Sequence, residues 1–235
     1  MFMIKLSMFP FHNWMIYCYE KSSWEQIFLM SSIMKFIPTS FFCHFLDLWK
    51  VMVLVMVFNS IFMSLYVSFN FSFKKVLACS TSFNNFLMTY IFMLNIKQFM
   101  IFAVMYSIVI FSVTYLVSKF GCSKNFIIFQ SSNLYYLFKI WVLIYSMIPM
   151  MVSFLLKWNF IYEMMKFSSS MCFIYLIFLL SNFLMIWKYM VLMKKSMMMK
   201  SPFTMKKMGE GPGVTMILVT LLFMFMFVTF NFISN

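Results

Sequence analysis

Long apolar runs recur along this chain from one end to the other, separated by short polar segments. A helix needs about 20 apolar residues to cross roughly 30 Å of hydrocarbon, and runs of this length account for most of the sequence. With 64% hydrophobic and only 10% charged residues, the chain carries too little charge to cover the surface of a soluble domain. The sequence therefore predicts an all-α membrane protein, a single polytopic domain over residues 1–235, with no targeting peptide or cleavable signal before the first helix.

The apolar runs predict about eight transmembrane helices. Their approximate bounds are 2–16, 26–46, 51–71, 76–94, 98–118, 137–165, 170–193 and 213–233. The first run is short, whereas the sixth is too long for one straight helix and contains Pro149. Because proline removes a helical hydrogen bond, we expect broken helices near Pro10 and near Pro149.

The composition has a second bias that membrane insertion does not require. The chain has 35 Phe and 30 Met but only 4 Gly, and all 18 of its basic residues are lysine. Bilayer helices normally use small residues where their backbones approach closely. Residues with A/T-rich codons are abundant, and the excess of Met fits a genetic code in which ATA encodes Met. We infer an animal mitochondrial gene. The alternative, an AT-rich bacterial genome, explains the Lys and Phe but not the Met.

The net charge of +13 comes from lysines that lie between apolar runs, which favours retention on one membrane side over nucleic-acid binding. Loops after even-numbered spans carry few charges: Asp47, Lys50, Lys97 and Lys166. Loops after odd-numbered spans carry many more: Glu20, Lys21, Glu25, Lys74, Lys75, Lys119, Lys124, Lys188, Lys194, Lys195, Lys200, Lys206, Lys207 and Glu210. By the positive-inside rule the odd side, including the long loop 194–213, faces the matrix, and both termini face the intermembrane space.

A few ionisable residues lie inside the predicted spans. Lys35 is near the middle of 26–46, where a lysine costs roughly 3 kcal/mol, and Pro38 beside it opens the helix to water or a polar partner. Intramembrane charges usually mark ion or proton paths; the alternative is an ion pair that serves helix packing. Lys157 lies in the long sixth span, or at the interface if that span ends early. A snorkelling side chain explains Lys5, and His12 is more often a packed residue than a proton carrier.

Other chemistry has little support in the sequence. The five cysteines are scattered singly, without the paired spacing of metal or redox sites. There is no Ser-His-Asp order and no glycine-rich dinucleotide loop, and EGPG near 210 is not a phosphate loop. A lysine held away from water can alternate between its charged and neutral forms, so lysines spaced through a membrane with water between them form a proton relay.

Specific motifs resemble one family. Residues 4–38 read IKLSMFPFHNWMIYCYEKSSWEQIFLMSSIMKFIP, with a lysine, PFHxW, a glutamate, a tryptophan and a second lysine followed by proline. This order is similar to mitochondrial NADH–ubiquinone oxidoreductase chain 2, from the membrane arm of complex I. Two further blocks resemble the same family: FKKVLACSTS at 73–82 and IPMMVSFLLKWNFIYE at 148–163. The resemblance covers nearly the whole chain.

The resemblance implies an antiporter-like helical bundle that translocates protons as a non-redox subunit of NADH:ubiquinone reductase in the mitochondrial inner membrane. The family's channel lysines carry over to Lys5, Lys35 and Lys157, with His12 and Glu163 as secondary candidates. The implied partners are other membrane-arm subunits and lipid. The chain would bind no metal, flavin, iron–sulfur cluster or NADH, since NADH and ubiquinone are used elsewhere in the complex.

The sequence also departs from the family pattern. The residues after Trp14 differ from it, as does the Ser146–Met150 stretch, which lacks the family's glycines. The family has further helices before its first channel lysine, one with a glutamate that pairs with that lysine, and we expect a fragment, a mis-set start or a shortened protein. Two alternatives remain: a stand-alone cation/proton transporter, which predicts inverted repeats, and a structural scaffold whose channel has decayed.

Overall fold

The computed structural model describes residues 2–44, 50–69, 72–120, 132–146 and 172–198. All regular secondary structure in these ranges is helical, which confirms the predicted all-α fold. The helices are α1 (Phe2–Lys5), α2 (Asn13–Lys21), α3 (Trp24–Ser31), α4 (Ile33–His44), α5 (Lys50–Phe69), α6 (Phe73–Leu94), α7 (Ile96–Phe120), α8 (Ser132–Tyr145) and α9 (Cys172–Met198).

Within the described residues, three helical stretches are long and apolar enough to cross a membrane. They are Trp24–His44, Ile96–Ser118 and Leu176–Lys194, and shorter apolar helices occupy Val57–Phe69 and Tyr136–Tyr145. Length and composition alone identify these stretches, so the total of about eight transmembrane helices stays a prediction. The expected span 213–233, most of 137–165 and the expected break at Pro149 lie outside the described residues.

The first predicted span, 2–16, is not one helix. Helix α1 ends at Lys5 and α2 begins at Asn13, so the expected break near Pro10 is confirmed. Between them the Phe9–Pro10 peptide bond is cis, and Ser7 has a φ of 53°, an uncommon conformation for a residue other than glycine. The first apolar run therefore contains two short helices joined by an irregular turn.

The second predicted span, 26–46, is interrupted where the sequence suggested no break. Ser32 separates α3 from α4 with φ −106° and ψ −86°. Its hydroxyl donates to the Phe28 carbonyl at 2.7 Å, and its backbone N–H bonds the same carbonyl at 3.1 Å. Pro38, the residue expected to disturb this span, lies within α4.

Helix α6 lies at the centre of the bundle. It packs against α2, α4, α5, α7 and α9. Every side chain described between positions 76 and 91 is buried, although this stretch contains Ser, Thr, Asn and Cys residues as well as apolar ones. A polar helix in this position must find its hydrogen-bond partners within the protein.

Contacts between helix ends group the polar segments at two opposite ends of the bundle. At one end Lys75 pairs with Glu20 at 3.2 Å, Lys74 donates to the Ser22 carbonyl at 2.6 Å, and Lys188 donates to the Ser68 carbonyl at 2.7 Å. We call this end, formed by Glu20–Ser22, Ser68, Lys74–Lys75 and Lys188, the lysine end. At the other end the His44 ring contacts Phe92, and Phe92 contacts Phe99. This grouping agrees with helices that alternate in direction.

Lys188 differs from its expected position. It was predicted among the loop lysines, but it lies within α9 and is buried. Lys74, the other lysine with a carbonyl partner at this end, is also buried, and its Nζ lies 5.0 Å from the Trp24 ring centroid. These two lysines bind helix ends of the protein itself.

Candidate functional site

Lys35 is the most unusual side chain in the described part of the chain. It projects from α4 and is only 2% exposed, and its Nζ has no hydrogen-bond partner among the described residues. The helix that bears it, α4, packs against α6. The described carboxylates offer it no pairing: Glu20 is bonded to Lys75, and Glu25 is exposed in the first turn of α3. An uncompensated buried charge costs several kcal/mol, so burial of the Lys35 ammonium at this position is costly.

Helix α6, which packs against the helix that bears Lys35, carries several buried polar side chains. Ser80 is the centre of one cluster: Tyr189 Oη donates to its Oγ at 2.6 Å, and Tyr145 Oη lies 2.8 Å from the same atom. In a second contact, the Thr81 hydroxyl donates to Tyr19 Oη at 3.4 Å. All these groups are buried. The bundle interior beside Lys35 therefore contains connected hydroxyl groups.

Further along α6, polar side chains satisfy the backbone of the break between α1 and α2. Ser82 donates to the Ser7 carbonyl at 2.8 Å, and the Asn85 amide donates to the Leu6 carbonyl. Asn59 of α5 accepts from the Phe9 backbone N–H at 2.9 Å. Irregular backbone at membrane depth is tolerated only where the protein provides such partners. The polar residues of α6 thus make the break possible.

Sequence reasoning missed this role of α6. The FKKVLACSTS block was noted only as a family resemblance, and the 76–94 run was treated as one more apolar span. The available signal was the density of Ser, Thr and Asn between Ser80 and Asn85, which is too polar for a helix that faces lipid.

The other predicted site residues have different surroundings. Lys5 is exposed at the last residue of α1, and α1 packs against α4, the helix that bears Lys35. His12 is buried, with its ring 4.9 Å from the Phe62 ring and 5.8 Å from the Tyr66 ring. Aromatic rings therefore pack around the His12 side chain. Lys157 and Glu163 lie outside the described residues.

Comparison of the sequence with known proteins shows which family the chain belongs to. No protein-family model matches the chain. Over 195 residues, which is 83% of this chain, the sequence is 33% identical to NADH-ubiquinone oxidoreductase chain 2 of Apis mellifera ligustica. The chain is a homologue of NADH-ubiquinone oxidoreductase chain 2. It spans 58% of the length of that curated relative.

Homology to NADH-ubiquinone oxidoreductase chain 2 confirms the resemblance inferred from the motifs at 4–38, 73–82 and 148–163. Among the described residues of this chain, no group of three or more His, Cys, Asp or Glu side chains could hold a metal ion. The buried polar groups of α4 and α6 instead include an amine, a thiol and hydroxyl groups, each of which can donate a hydrogen bond.

Proposed function

We propose that the chain is a proton-translocating membrane subunit of respiratory complex I in the mitochondrial inner membrane. The name of the relative supports membership of an NADH-ubiquinone oxidoreductase. The observation that supports the proton-moving role is the burial of Lys35, whose amine has no hydrogen-bond partner among the described residues. Its helix packs against α6, which carries buried polar side chains. Intramembrane ionisable residues of this kind usually belong to ion or proton pathways.

In this proposal Lys35 alternates between its ammonium and amine forms. The ammonium releases a proton to one neighbour, and the amine then accepts the next proton from another. Lys5 is a donor candidate because it ends the helix that packs against α4. Lys157 would continue the relay, as the family resemblance implies. Electron transfer from NADH to ubiquinone takes place elsewhere in the complex and drives the cycle, and this chain binds no redox cofactor.

The partners in this proposal are other membrane-arm subunits and lipid. The outer face of α3 and α4 supports this, because it exposes a continuous series of large apolar side chains: Leu29, Ile33, Met34, Ile37 and Phe41. Such a face needs lipid or neighbouring helices to cover it. The lysine end would face the matrix, since basic residues are retained on the side where the chain is made.

The decisive experiment replaces Lys35 in the assembled, reconstituted complex and measures proton uptake together with quinone reduction. Lys35→Met keeps the apolar stem but removes the titrating group, and Lys35→Arg keeps a charge that is not readily released. A relay predicts that both changes slow proton uptake, on the order of 10²-fold for Met. Lys97→Met is the matched control, because Lys97 is exposed near the start of α7.

The structural alternatives predict different patterns. An ion pair that serves helix packing predicts that Arg is tolerated much better than Met. A scaffold whose channel has decayed predicts that Lys35 can be replaced without loss of pumping. Wild-type pumping in a fully assembled Lys35→Met complex would overturn the proposed function.

A further inference from the structure

Two buried serines occupy the break between α3 and α4, just before Lys35. Ser31 and Ser32 are 0% and 1% exposed, respectively. Both hydroxyls donate to the Phe28 carbonyl, at distances of 2.9 Å from Ser31 Oγ and 2.7 Å from Ser32 Oγ. The Ser32 backbone N–H donates to the same oxygen at 3.1 Å. Because a carbonyl oxygen has two lone pairs, the Phe28 carbonyl keeps a full set of donors if one of these three is lost.

The Ser32 hydroxyl has acceptor capacity that these contacts leave unused. A hydroxyl donates one hydrogen and offers two lone pairs. The Ser32 hydrogen is directed at the Phe28 carbonyl, and among the described residues no group donates to the Ser32 oxygen. Ser31 differs, since its hydroxyl also interacts with the Tyr19 hydroxyl. Ser32 is therefore the serine of the pair whose oxygen has both lone pairs open.

Helix geometry directs the Lys35 side chain towards Ser32. The Lys35 backbone N–H donates to the Ser32 carbonyl at 3.0 Å, so the two residues are adjacent in the first turn of α4. Side chains in a helix lean towards its N-terminus and cover the residues three and four positions earlier. The four-carbon stem of lysine is flexible, so the amine can approach Ser32 Oγ without movement of the helix.

Lys35 needs an acceptor only when it carries a proton. Its Nζ is buried and has no hydrogen-bond partner among the described residues, an arrangement that suits a neutral amine. An ammonium group has three donors and no acceptor, and leaving it unpaired in the protein interior is costly. Charge-assisted hydrogen bonds are roughly twice as strong as neutral ones, so an oxygen within reach lowers this cost.

We propose that Ser32 is a positioning residue that holds the Lys35 ammonium through its hydroxyl oxygen. The proposal rests on the proton-translocating function above. When Lys35 gains a proton, one ammonium N–H donates to Ser32 Oγ; when the proton leaves, the amine returns to the arrangement without a partner. The only covalent change is the N–H bond that the proton makes or breaks, and no electrons are transferred. The alternative is that the Ser32 hydroxyl only supports the backbone at the break.

The test removes or retains this hydroxyl in the assembled, reconstituted complex. Ser32→Ala removes it, whereas Ser32→Thr keeps it. Ser31→Ala is the matched control, because it removes the other hydroxyl that bonds the same Phe28 carbonyl. Ser32→Ala is also combined with Lys35→Met. The readouts are the rate of proton uptake during quinone reduction and the thermal midpoint of each variant.

If Ser32 acts through Lys35, Ser32→Ala slows proton uptake by about tenfold, the loss expected for a hydrogen bond to a charged group. The same change causes no further slowing in the Lys35→Met background, because the group that it positions is already absent. Ser32→Thr and Ser31→Ala keep uptake close to wild type. If Ser32→Thr does not assemble, the comparison of Ser32→Ala with and without Lys35→Met decides.

A structural role for Ser32 gives a different result. Equal slowing by Ser32→Ala in both backgrounds, or equal losses of uptake and thermal midpoint in Ser31→Ala and Ser32→Ala, would overturn the positioning role. Wild-type uptake in Ser32→Ala would overturn it too.

Lys35→Met alone separates the two proposals. If that variant is impaired while Ser32→Ala pumps normally, the positioning role is wrong and the proposed function stands. If Lys35→Met itself pumps normally in the assembled complex, the proposed function fails and the positioning role fails with it.

Discussion

Asn59 is the side chain of α5 that holds the break between α1 and α2 in place. Its Oδ1 accepts from the Phe9 backbone N–H at 2.9 Å, and its Nδ2 donates to the Ser82 carbonyl at 3.3 Å. Asn59 is only 1% exposed. Asn59→Leu has a similar size and removes both hydrogen bonds, so it tests how far the break depends on this one amide.

The free energy lost in Asn59→Leu depends on which polar groups lose a hydrogen-bond partner. A carbonyl inside a helix such as α6 normally accepts from the N–H four residues later, so loss of the Asn59 bond leaves the Ser82 carbonyl with a partner. The Phe9 N–H loses its acceptor, and an unpaired buried donor costs about 1–3 kcal/mol. Phe9 is only partly buried, and interhelical hydrogen bonds in membranes average near 0.6 kcal/mol. We therefore expect a loss of about 1–2 kcal/mol, equivalent to a factor of roughly 5–30.

Amide hydrogen exchange of the segment 6–12 in the assembled complex measures this loss locally, because exchange reports the free energy of opening. Asn59→Leu is expected to speed exchange there by roughly 5–30-fold. The control is Ser60→Ala, since the Ser60 hydroxyl is buried but donates to Val57 in its own helix at 2.8 Å. Equal exchange rates in the two variants would refute the role assigned to Asn59.

Four smaller predictions concern the helix ends. Lys188→Met removes a charged hydrogen bond and is expected to cost about 1.5–3 kcal/mol, with Lys188→Arg milder, as measured by the thermal midpoint. Ser23→Ala removes the hydroxyl of a capping box at the start of α3 and is expected to cost about 1 kcal/mol by the same measurement. Glu20→Gln breaks the partly exposed pair with Lys75 and is expected to change the midpoint little, by less than about 1 kcal/mol. Single cysteines at Ser23→Cys and Asn95→Cys are expected to react with an impermeant maleimide from opposite membrane sides, and labelling from the same side would contradict the alternation of helices.

The helical fold was predictable because long apolar runs have few other stable structures in a bilayer. The break near Pro10 was predictable too, since proline limits where a helix continues. The break at Ser32 was not, because serine also occurs in unbroken helices: the Ser112 hydroxyl makes the same bond to the carbonyl four residues earlier within α7. The sequence also placed Lys188 among loop residues, since composition does not show that a lysine will meet a helix-end carbonyl.

The candidate site was predictable in part. The position of Lys35 within an apolar run indicated burial, and the structure shows it buried. Its lack of a hydrogen-bond partner among the described residues depends on which helices surround α4, and no spacing along the chain contains that information. The convergence of Ser80, Tyr145 and Tyr189 is equally hidden, because residues up to 109 positions apart meet only once α8 and α9 have packed into the bundle.

The polarity of α6 has a consequence for how the chain is made. Helix α6 carries five buried polar residues in one stretch of six: Ser80, Thr81, Ser82, Asn84 and Asn85. Insertion machinery admits helices largely by their apolar character, so α6 is a poor candidate for release into lipid alone. We expect α6 to stay beside the insertase until α5 and α7 pack against it and cover its polar side chains from lipid. These two helices are its neighbours in sequence and in space. Apolar substitutions at its polar positions would then raise the yield of inserted protein but lower the stability of the finished complex.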